Sequence, residues 1–432
     1  MDFGVDYMDK KSFAGFYKKE IKERQEILAK EFDLSKDEKA LLSKESALPF
    51  SVANRMIENV VGTFPLPYSV ATNFVIDGKD YIIPMAIEEP SVVAAASNAA
   101  KISNGFETAA DEPIMIGQIQ VINIKDAEHA KNTIEHHKTE LLELVEKVDP
   151  VLIKFGGGPK DLQVNILEDE KGKMLEVQLL VDVRDAMGAN AINTMTEKLA
   201  PKIEELTKGK AILKIISNLA IYRRAQAKAV WTKDALGGST KGKFNGEEVV
   251  EAILNAYRFA VATQFRATTH NKGIMNGIDA VMIATGQDFR AIEAGAHSFA
   301  AYKGKYSPLT KYSKDKDGNL VGEIDMPLVL GIVGGAIKVH PLAQLSMKIL
   351  GVKTAEELAR IIVSVGLAQN FAALRVLSTE GLQKGHMRLH AKNIAVQAGA
   401  TKEEIDIVAA KMVEAKEVSQ GKAEEILGEI RK

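Results

Sequence analysis

Hydrophobic and polar positions follow a regular order between residues 113 and 219. A strand-like segment, MIGQIQVINI, precedes a segment with helical spacing, DAEHAKNTIEHHKTELLELVEKV. Two further strand-like segments, joined by a polar turn around Glu170–Lys173, make up DLQVNILEDEKGKMLEVQLLVDV. AMGANAINTMTEKLAPKIEEL then has helical spacing, and KAILKIISNL has the pattern of a last strand. The resulting order, β-α-β-β-α-β, predicts a ferredoxin-like unit.

Helical segments lie on both sides of this unit. Residues 15–45 are helical in pattern, with Ser35 and Glu38 spaced as a capping box. YIIPMAIEE, which ends at residue 89, predicts a strand, and Pro90 then opens an alanine-rich helix. The charged tail carries the capping-box spacing again, at Thr401 and Glu404.

The whole pattern predicts an α+β fold with a large mixed α/β domain, an inserted ferredoxin-like domain and a C-terminal helical flap. The three parts have the following predicted bounds: 1–112 with 220–378, 113–219, and 379–432.

Composition narrows the class of protein. The chain has 432 residues, 46% of them hydrophobic and 26% charged, which is typical of a soluble globular protein with two or three domains. The formal net charge of -2 gives no reason to expect nucleic acid or an anionic membrane as a partner. The absence of cysteine excludes a disulfide framework, a cysteine–zinc site and a thiolate nucleophile. The N-terminal segment has no apolar core of a signal peptide, and no apolar run reaches the length of a membrane span. We therefore expect a cytoplasmic protein.

Nucleotide binding has one candidate segment. Neither GxGxxG nor GxxxxGK[ST] occurs, but LLVDVRDAMGANAIN places Asp185, Gly188 and Asn190 where a strand turns into a helix. Backbone N–H groups at such a turn can approach a phosphate, and a helix N-terminus favours an anion. Taken alone, the segment equally suits a tight packing turn, and the GGGPKD run at 156–161 is more typical of a flexible turn.

Two histidines stand one helical turn apart, at 386 and 390. The residues between them, MRL, lack the glutamate of HExxH, so we expect no metal site. His386 follows Gly385 at a probable helix start, where an imidazole can donate protons near neutral pH. An exposed helix-start histidine without a role is the alternative.

Acid–base chemistry has further candidates in two other segments. Glu88 and Glu89 precede Pro90, where one carboxyl can serve as an acid–base group or simply form an acidic first turn. Lys272 lies in THNKGIMNG, a neutral and glycine-flanked setting that suits a cation directed at a developing oxyanion. Asp288, in GQDFRA, is placed to hold and tune that ammonium group. A surface lysine is the alternative.

Six motifs occur in an order that closely resembles the class II 3-hydroxy-3-methylglutaryl-CoA (HMG-CoA) reductases, the soluble bacterial and archaeal form. The resemblance extends from about residue 45 to the C-terminus. In chain order the motifs are ENVVGTFPLP, EEPSVVAAAS, DVRDAMGAN, THNKGIMNGIDAV, ATGQD and GHMRLHAKN.

The resemblance implies roles residue by residue. Glu88 matches a non-catalytic neighbour. The positions that match the catalytic residues of the family are Glu89, Lys272, Asp288 and His386. Those that match contacts to the hydroxymethylglutaryl group or its surroundings are Ser91, Arg266, Asn276 and Asn218. Those that match the dinucleotide-binding motif are Asp185, Gly188 and Asn190.

The implied reaction interconverts HMG-CoA and mevalonate with release or uptake of CoA, through two hydride transfers from NAD(P)H. Lys272 would stabilise the first oxyanion, and His386 would protonate the CoA thiolate. Glu89 would serve the proton path, and Asp288 would set the charge states of its neighbours. Family members are homodimers, or larger assemblies of dimers, with the active site at the subunit interface.

The choice of dinucleotide depends on Asp149, in EKVDPVL. It falls where NAD-preferring members place an aspartate, and its charge would repel a 2′-phosphate by about 4 kcal/mol at 4 Å and an effective dielectric of 20. This favours NADH over NADPH, although a simple helix-end aspartate is the alternative.

Three further questions stay open at this point. An oxidoreductase of another acyl-CoA or hydroxy acid on the same scaffold is a competing function, and mevalonate degradation is a competing direction. An RNA-binding module is disfavoured because the central strands carry no aromatic residues for base stacking.

Overall fold

The computed structural model describes residues 12–240, 242–379, 391–415 and 417–431. The N-terminal arm is helical. Its segments are a 3₁₀ turn at Phe16–Lys18, α1 at Ile21–Glu31, α2 at Lys36–Leu42 and α3 at Phe50–Met56. Ser35 and Glu38 form the predicted capping box at the start of α2, because each side chain accepts the other residue's backbone N–H.

A mixed six-stranded sheet forms the centre of the large domain. Its strands are β1 Tyr68–Ile76, β2 Lys79–Ala86, β3 Phe106–Ala110, β8 Arg224–Trp231, β9 Thr310–Lys314 and β10 Leu320–Pro327. They lie in the order β2-β1-β3-β8-β10-β9, and β1 runs parallel to β3 while the other neighbours are antiparallel.

Long helices cover this sheet. Their bounds are α4 Val92–Lys101, α9 Lys233–Ser239, α10 Gly246–Ala262, α11 Gln264–Ala284, α12 Phe289–Ala301, α13 Pro341–Leu350 and α14 Ala355–Ser378, with a 3₁₀ turn at Gly335–Lys338. Trp231 and Phe371 stack with ring centroids 3.9 Å apart, and the indole N–H of Trp231 donates to the carbonyl of Ala99. These contacts join β8, α14 and α4 in one core.

The small domain has the predicted β-α-β-β-α-β order. Its strands are β4 Ile114–Ile122, β5 Gly158–Asp169, β6 Gly172–Asp182 and β7 Lys210–Ser217, in the sheet order β5-β6-β4-β7. Its helices are α5 Ala127–His136, α6 Lys138–Glu146, α7 Pro150–Lys154 and α8 Ala189–Thr207. Gly117 lets α8 approach β4, because a Cβ there would lie 2.6 Å from Ile192 and Thr196.

Two local predictions in these domains need correction. The single helix predicted over DAEHAKNTIEHHKTELLELVEKV is two helices, because α5 ends at His136 and α6 begins at Lys138; the short α7 follows at Pro150. The strand predicted to reach residue 89 ends at Ala86, and the following helix begins at Val92 rather than at Pro90. Glu89 therefore lies in an irregular turn between β2 and α4.

The C-terminal part has a small core of its own. Residues 391–397 (α15), Ile405–Glu414 (α16) and Gln420–Ile430 (α17) are helical. Only half of the capping box expected at Thr401 and Glu404 is present: the Glu404 carboxylate accepts the Thr401 N–H, but the helix begins after it. An ion pair with Arg431 lowers the pKa of Glu404 to about 2.

One described helix, α14, is long and apolar enough to span a membrane by these two criteria alone. However, 72% of its most apolar window is buried inside the fold, as is typical of a core helix.

Candidate active site

The turn between β2 and α4 holds two of the predicted residues. Glu88 is exposed, whereas Glu89 is partly buried. Ser91, the residue before α4, has φ 73°, a left-handed conformation that non-glycine residues rarely adopt. Its side chain does not cap α4. Backbone strain of this kind is concentrated at functional sites, and here it falls on a predicted substrate contact.

Lys272 lies on the outward face of α11. The side chain of Lys272 is exposed rather than enclosed in a neutral cleft, and Asn276 follows it one turn later on the same face. Among the described residues, a Cβ on the adjacent Gly273 would meet nothing within 4 Å. The preceding residue, Asn271, is buried and bonds the backbone of Ser307 and Leu309. This contact fixes the turn of α11 that carries Lys272.

Asp288 begins α12 and has other partners in this chain. Its Oδ1 accepts the backbone N–H of Ala291 at 3.1 Å and lies 3.6 Å from a guanidinium nitrogen of Arg290. Helix α11 continues from Lys272 to Ala284, which is about 18 Å along its axis. No ion pair joins Lys272 to Asp288 in the described chain. A single subunit therefore leaves these two residues apart.

The turn that carries Asp288 is rigidly attached to the large domain. The side-chain amide of Gln287 donates to the carbonyl of Gly331 at 2.7 Å and accepts its N–H at 3.0 Å. Gly286 has φ 68° and packs against Ala343. The paired hydrogen bonds require the side-chain amide of Gln287, and the left-handed backbone next to Ala343 requires glycine at position 286.

A cavity of about 1610 Å³ lies between the N-terminal arm, which supplies most of its lining, and the large domain. Residues from the end of β2, the start of α4 and the end of α11 line it together, including Ala86, Val93 and Ile283. Glu89 and Asp288 are not among the residues that line this cavity.

Arg266 has the properties of an anion-binding residue. It is partly buried, burial lowers the pKa of its guanidinium, and no described residue forms a hydrogen bond or ion pair with it. A cation in that state favours an incoming carboxylate. Asn218 directly follows β7, and its backbone carbonyl approaches Gly295 of α12 so closely that a Cβ on that glycine would lie 2.6 Å away.

His270 is a buried residue of this region whose role the sequence did not indicate. Its Nε2 lies 2.6 Å from the Thr310 hydroxyl, which donates to Asn370. Burial, followed by the charge of Arg266, lowers the pKa of His270 to about 3. The imidazole is neutral at working pH and holds α11 against β9 and α14.

The predicted cofactor segment lies at the junction of the two sheets. Gly188, with φ 102°, precedes α8, and a Cβ on it would lie 2.7 Å from Val183. No side chain caps α8, so its first N–H groups are open to an anion, and Asn190 is exposed in its first turn. This arrangement fits a dinucleotide phosphate.

Asp185 faces the large domain instead. Its Oδ1 accepts the N–H of Ala355, the first residue of α14, at 2.7 Å, and its carbonyl accepts the N–H of Ile332. Buried Arg223, which the sequence did not single out, donates to backbone carbonyls on both sides of the junction, among them Ala186 and Leu330. Burial lowers the pKa of Arg223 to about 10.

A family model for hydroxymethylglutaryl-coenzyme A reductase matches residues 20–391. The chain belongs to the hydroxymethylglutaryl-coenzyme A reductase family. It is 57% identical over 421 residues to the 3-hydroxy-3-methylglutaryl-coenzyme A reductase of Archaeoglobus fulgidus, covering 96% of this chain and 94% of that one.

Solved structures agree with this membership. A Streptococcus pneumoniae 3-hydroxy-3-methylglutaryl-coenzyme A reductase superposes with a TM-score of 0.82 and 42% identity, covering 97% of this chain and 99% of that one. The class II reductase of the same organism, in open conformations bound to NADPH, has a TM-score of 0.80 and 41% identity, covering 96% and 100% of the two chains.

The predicted family, α+β fold class and enzymatic function are thereby confirmed. Membership of this family makes the chain a reductase of the mevalonate pathway. The described part of the chain contains no group of three or more His, Asp or Glu residues that could hold a metal ion. Two residues of the sequence prediction, His386 and His390, lie outside the described residues.

Asp149 has a structural contact that bears on the prediction for cofactor choice. It is the N-cap of α7, and its Oδ1 accepts the N–H of Leu152 at 2.9 Å. Asp149 therefore has the helix-end role that the sequence analysis gave as the alternative. Only its second carboxylate oxygen, Oδ2, is free of this contact and could face a ribose.

Proposed function

We propose that two copies of this reductase share each active site, with Lys272 of one subunit acting beside Glu89 and Asp288 of the other. The length of α11 carries this proposal, because about 18 Å of helix follows Lys272 before the turn to Asp288. The outward face of that region is also unusually apolar: Phe265 is 90% exposed and Phe259 is 61% exposed. Exposed aromatic residues at this density are typical of a subunit interface.

Each of the four catalytic residues has a distinct role in this proposal. Lys272 stabilises the oxyanion formed when the thioester carbonyl is first reduced, and it polarises the aldehyde in the second reduction. His386 protonates the departing CoA thiolate. Glu89 lies in the proton path to the final alcohol oxygen, and Asp288 sets the charge states of Lys272 and Glu89. Glu88 is exposed and takes no part.

The hydroxymethylglutaryl group carries a free carboxylate that needs a cation. Arg266, partly buried and without a described partner, suits bidentate binding of that carboxylate. Ser91, Asn276 and Asn218 supply the remaining polar contacts. Arg266 and Asn276 lie on the same helix as Lys272, so the substrate and the oxyanion cation are positioned by one rigid element.

The small domain, residues 113–219, binds the dinucleotide. When bound, NAD(P)H supplies the two hydrides of the reaction. The open N-terminus of α8 with Gly188 holds the phosphates, Asn190 makes a further polar contact, and Asp185 keeps this loop on the large domain. Asp149 favours NADH by repelling a 2′-phosphate. The flap is formed by residues 379–432, and the large domain by residues 1–112 and 220–378.

The enzyme works as a homodimer in the cytoplasm. HMG-CoA, two NADH and two protons give mevalonate, CoA and two NAD⁺, in the direction of isoprenoid synthesis. A comparison of initial rates in both directions with both dinucleotides tests the cofactor and direction together. Oxidation of mevalonate faster than reduction of HMG-CoA at matched concentrations would favour the degradative role.

A subunit-mixing experiment tests the shared site. Lys272→Ala and Asp288→Ala are each expected to be inactive alone. In a mixed dimer, one of the two sites then carries both changes and the other is intact, so a 1:1 mixture should recover about a quarter of wild-type activity. If both residues act within one subunit, every site carries one change and no activity returns.

A further inference from the structure

We propose that Asn370 and Thr310 are positioning residues for Lys272: together with His270 they form a buried, hydrogen-bonded cluster that fixes the turn of α11 from which Lys272 projects. The inference rests on the catalytic role proposed above for Lys272. None of the three cluster residues is a predicted catalytic or binding residue. Each belongs to a different element, because His270 lies on α11, Thr310 on β9 and Asn370 on α14.

Asn370, in the second half of α14, is the centre of this cluster. It is 1% exposed. Its Oδ1 accepts the hydroxyl of Thr310 at 3.0 Å and that of Tyr312 at 2.9 Å, and its Nδ2 donates to the backbone carbonyl of His270 at 3.2 Å. Because a carbonyl can only accept, this last contact sets which end of the amide faces α11. Asn370 therefore holds the backbone of α11 two residues before Lys272.

Thr310, the first residue of β9, makes a second link to the same turn. The single proton of its hydroxyl goes to Asn370, so the hydroxyl oxygen accepts the proton on His270 Nε2, 2.6 Å away. His270 is consequently the Nε2–H tautomer. Its Nδ1 is a buried acceptor with no partner among the described residues, so Thr310 is the contact that sets the direction of the ring.

Helix α14 comes close enough to α11 for this contact because Gly366 faces it. A Cβ on Gly366 would lie 2.8 Å from Cδ1 of Ile278 and 3.1 Å from Cγ2 of Ile274. Gly366 is one helical turn before Asn370, so the two lie on the same face of α14. The close approach lets a short amide side chain reach a main-chain carbonyl of the neighbouring helix.

The cluster occupies a turn of α11 where apolar residues would suffice for packing. The buried residues in the first half of α11 have the spacing of one helical stripe, and they are Ala267, His270, Asn271, Ile274 and Met275. The middle turn of this stripe is polar, and Asn271 bonds the chain just before β9. An apolar stripe can rotate slightly without losing much burial, whereas hydrogen bonds require one distance and one direction. The polar turn therefore specifies the rotation of α11.

Lys272 depends on that rotation because it leaves the helix on the opposite side. Two residues correspond to about 200° around a helix, so His270 points into the core while Lys272 is exposed. A side-chain end lies about 6 Å from the helix axis, so a rotation of about 10° would move it by about 1 Å. A displacement of that size can lower a rate about 100-fold.

The first test removes one hydroxyl without changing the size of the side chain. Thr310→Val should lower kcat for HMG-CoA reduction about 10- to 100-fold with little change in KM, whereas Thr310→Ser should retain most of kcat. Thr196→Val is the matched control, because Thr196 is also fully buried but bonds only the carbonyl of Asn193 in its own helix. Equal kcat values for Thr310→Val and this control would overturn the proposal.

A second pair of variants keeps the proposal testable if Thr310→Val does not fold. His270→Gln places an amide N–H near the position of Nε2 and should retain most of kcat. His270→Asn is too short to reach Thr310 and should lose activity about as much as Thr310→Val. Rates are expressed per folded enzyme, measured by the emission of Trp231 well below the melting temperature. Equal rates for the two amides would contradict the assigned bond.

A double-mutant cycle separates positioning of Lys272 from general support of the fold. In the Lys272→Ala background, Thr310→Val should change kcat by less than about twofold, because the group that it positions is already gone. A loss of the same factor in both backgrounds would show that the cluster acts on the whole site, and it would overturn the positioning role.

The same cycle shows which of the two proposals fails. Near-normal turnover of Lys272→Ala alone would refute the catalytic role of Lys272 and, with it, the positioning of that residue. A strongly impaired Lys272→Ala variant combined with an additive effect of Thr310→Val would leave the catalytic role standing and refute the positioning role alone.

Discussion

Asp185 accepts the backbone N–H of Ala355 with 2.7 Å between Oδ1 and nitrogen, so a residue of the predicted cofactor motif binds the first N–H of α14, whose own N-cap is Thr354. Arg223 strengthens the same junction by donating to carbonyls from both sides. The dinucleotide loop is thereby part of the large-domain core and not only of the small domain. Its position relative to the catalytic residues is set by backbone contacts.

Asp185→Ala should lower both stability and cofactor affinity. Loss of this hydrogen bond to a carboxylate costs about 1.5–3 kcal/mol, and a loosened loop raises KM for the dinucleotide more than KM for HMG-CoA. Asp185→Asn keeps an acceptor oxygen and should be much milder. Thermal unfolding and the two KM values measure this. A raised dinucleotide KM without any loss of stability would mean that Asp185 touches the cofactor directly.

The Gly273→Ala variant, next to Lys272, should change activity without lowering stability. Alanine in a helix interior is favoured over glycine by about 1 kcal/mol, and the new Cβ would meet none of the described residues of this chain, so the melting temperature should rise or stay equal. Activity should nevertheless fall about tenfold, because substrate or the second subunit approaches closely there. Unchanged kcat/KM would show that nothing occupies that space during turnover.

Lys272→Ala should lower kcat by about 10² or more, the effect expected for loss of a group that stabilises an oxyanion. Dinucleotide binding should be largely retained, since the small domain lies elsewhere. Steady-state rates and fluorescence titration with NADH measure the two effects. Lys272→Arg keeps the charge but not the geometry and is the informative control. Near-normal turnover of the alanine variant would refute the role.

His386→Gln should spare reduction of mevaldehyde more than reduction of HMG-CoA, because only the thioester substrate releases CoA thiolate. Rates with the two substrates, taken at saturating dinucleotide, give the comparison. An equal loss in both would assign the histidine to a step that the two reactions share.

Asp149→Ala should raise the NADPH/NADH ratio of kcat/KM, because the carboxylate that repels a 2′-phosphate is gone. It also removes the cap of α7, at a cost of about 1 kcal/mol. Asp149→Ser keeps a cap without the charge and so isolates the electrostatic effect. If serine leaves the ratio unchanged, Asp149 serves α7 alone.

Local pattern predicted local structure well. Strand alternation and helical spacing gave the order of the small domain, since Met115, Ile119 and Val121 of β4 are fully buried while Gln118 and Gln120 between them are not. The capping box at Ser35 depends on two residues three positions apart, and it was equally predictable from the sequence.

Contacts between residues far apart in the sequence could not be predicted from local pattern. The sequence suggested Lys272 and Asp288 as partners, yet the direction of α11 carries them apart within one chain. Arg223 has no motif of its own, and its role comes from carbonyls distant in sequence.

The stacking of Trp231 on Phe371 has a practical consequence. Trp231 is the single tryptophan of the chain and is fully buried between β8, α4 and α14. Its intrinsic fluorescence therefore reports on the large-domain interior, while the small domain contributes no indole emission. If this fluorescence signal and the far-UV ellipticity are lost in one transition, the two domains unfold together. If the two signals are lost in separate transitions, the domains unfold stepwise.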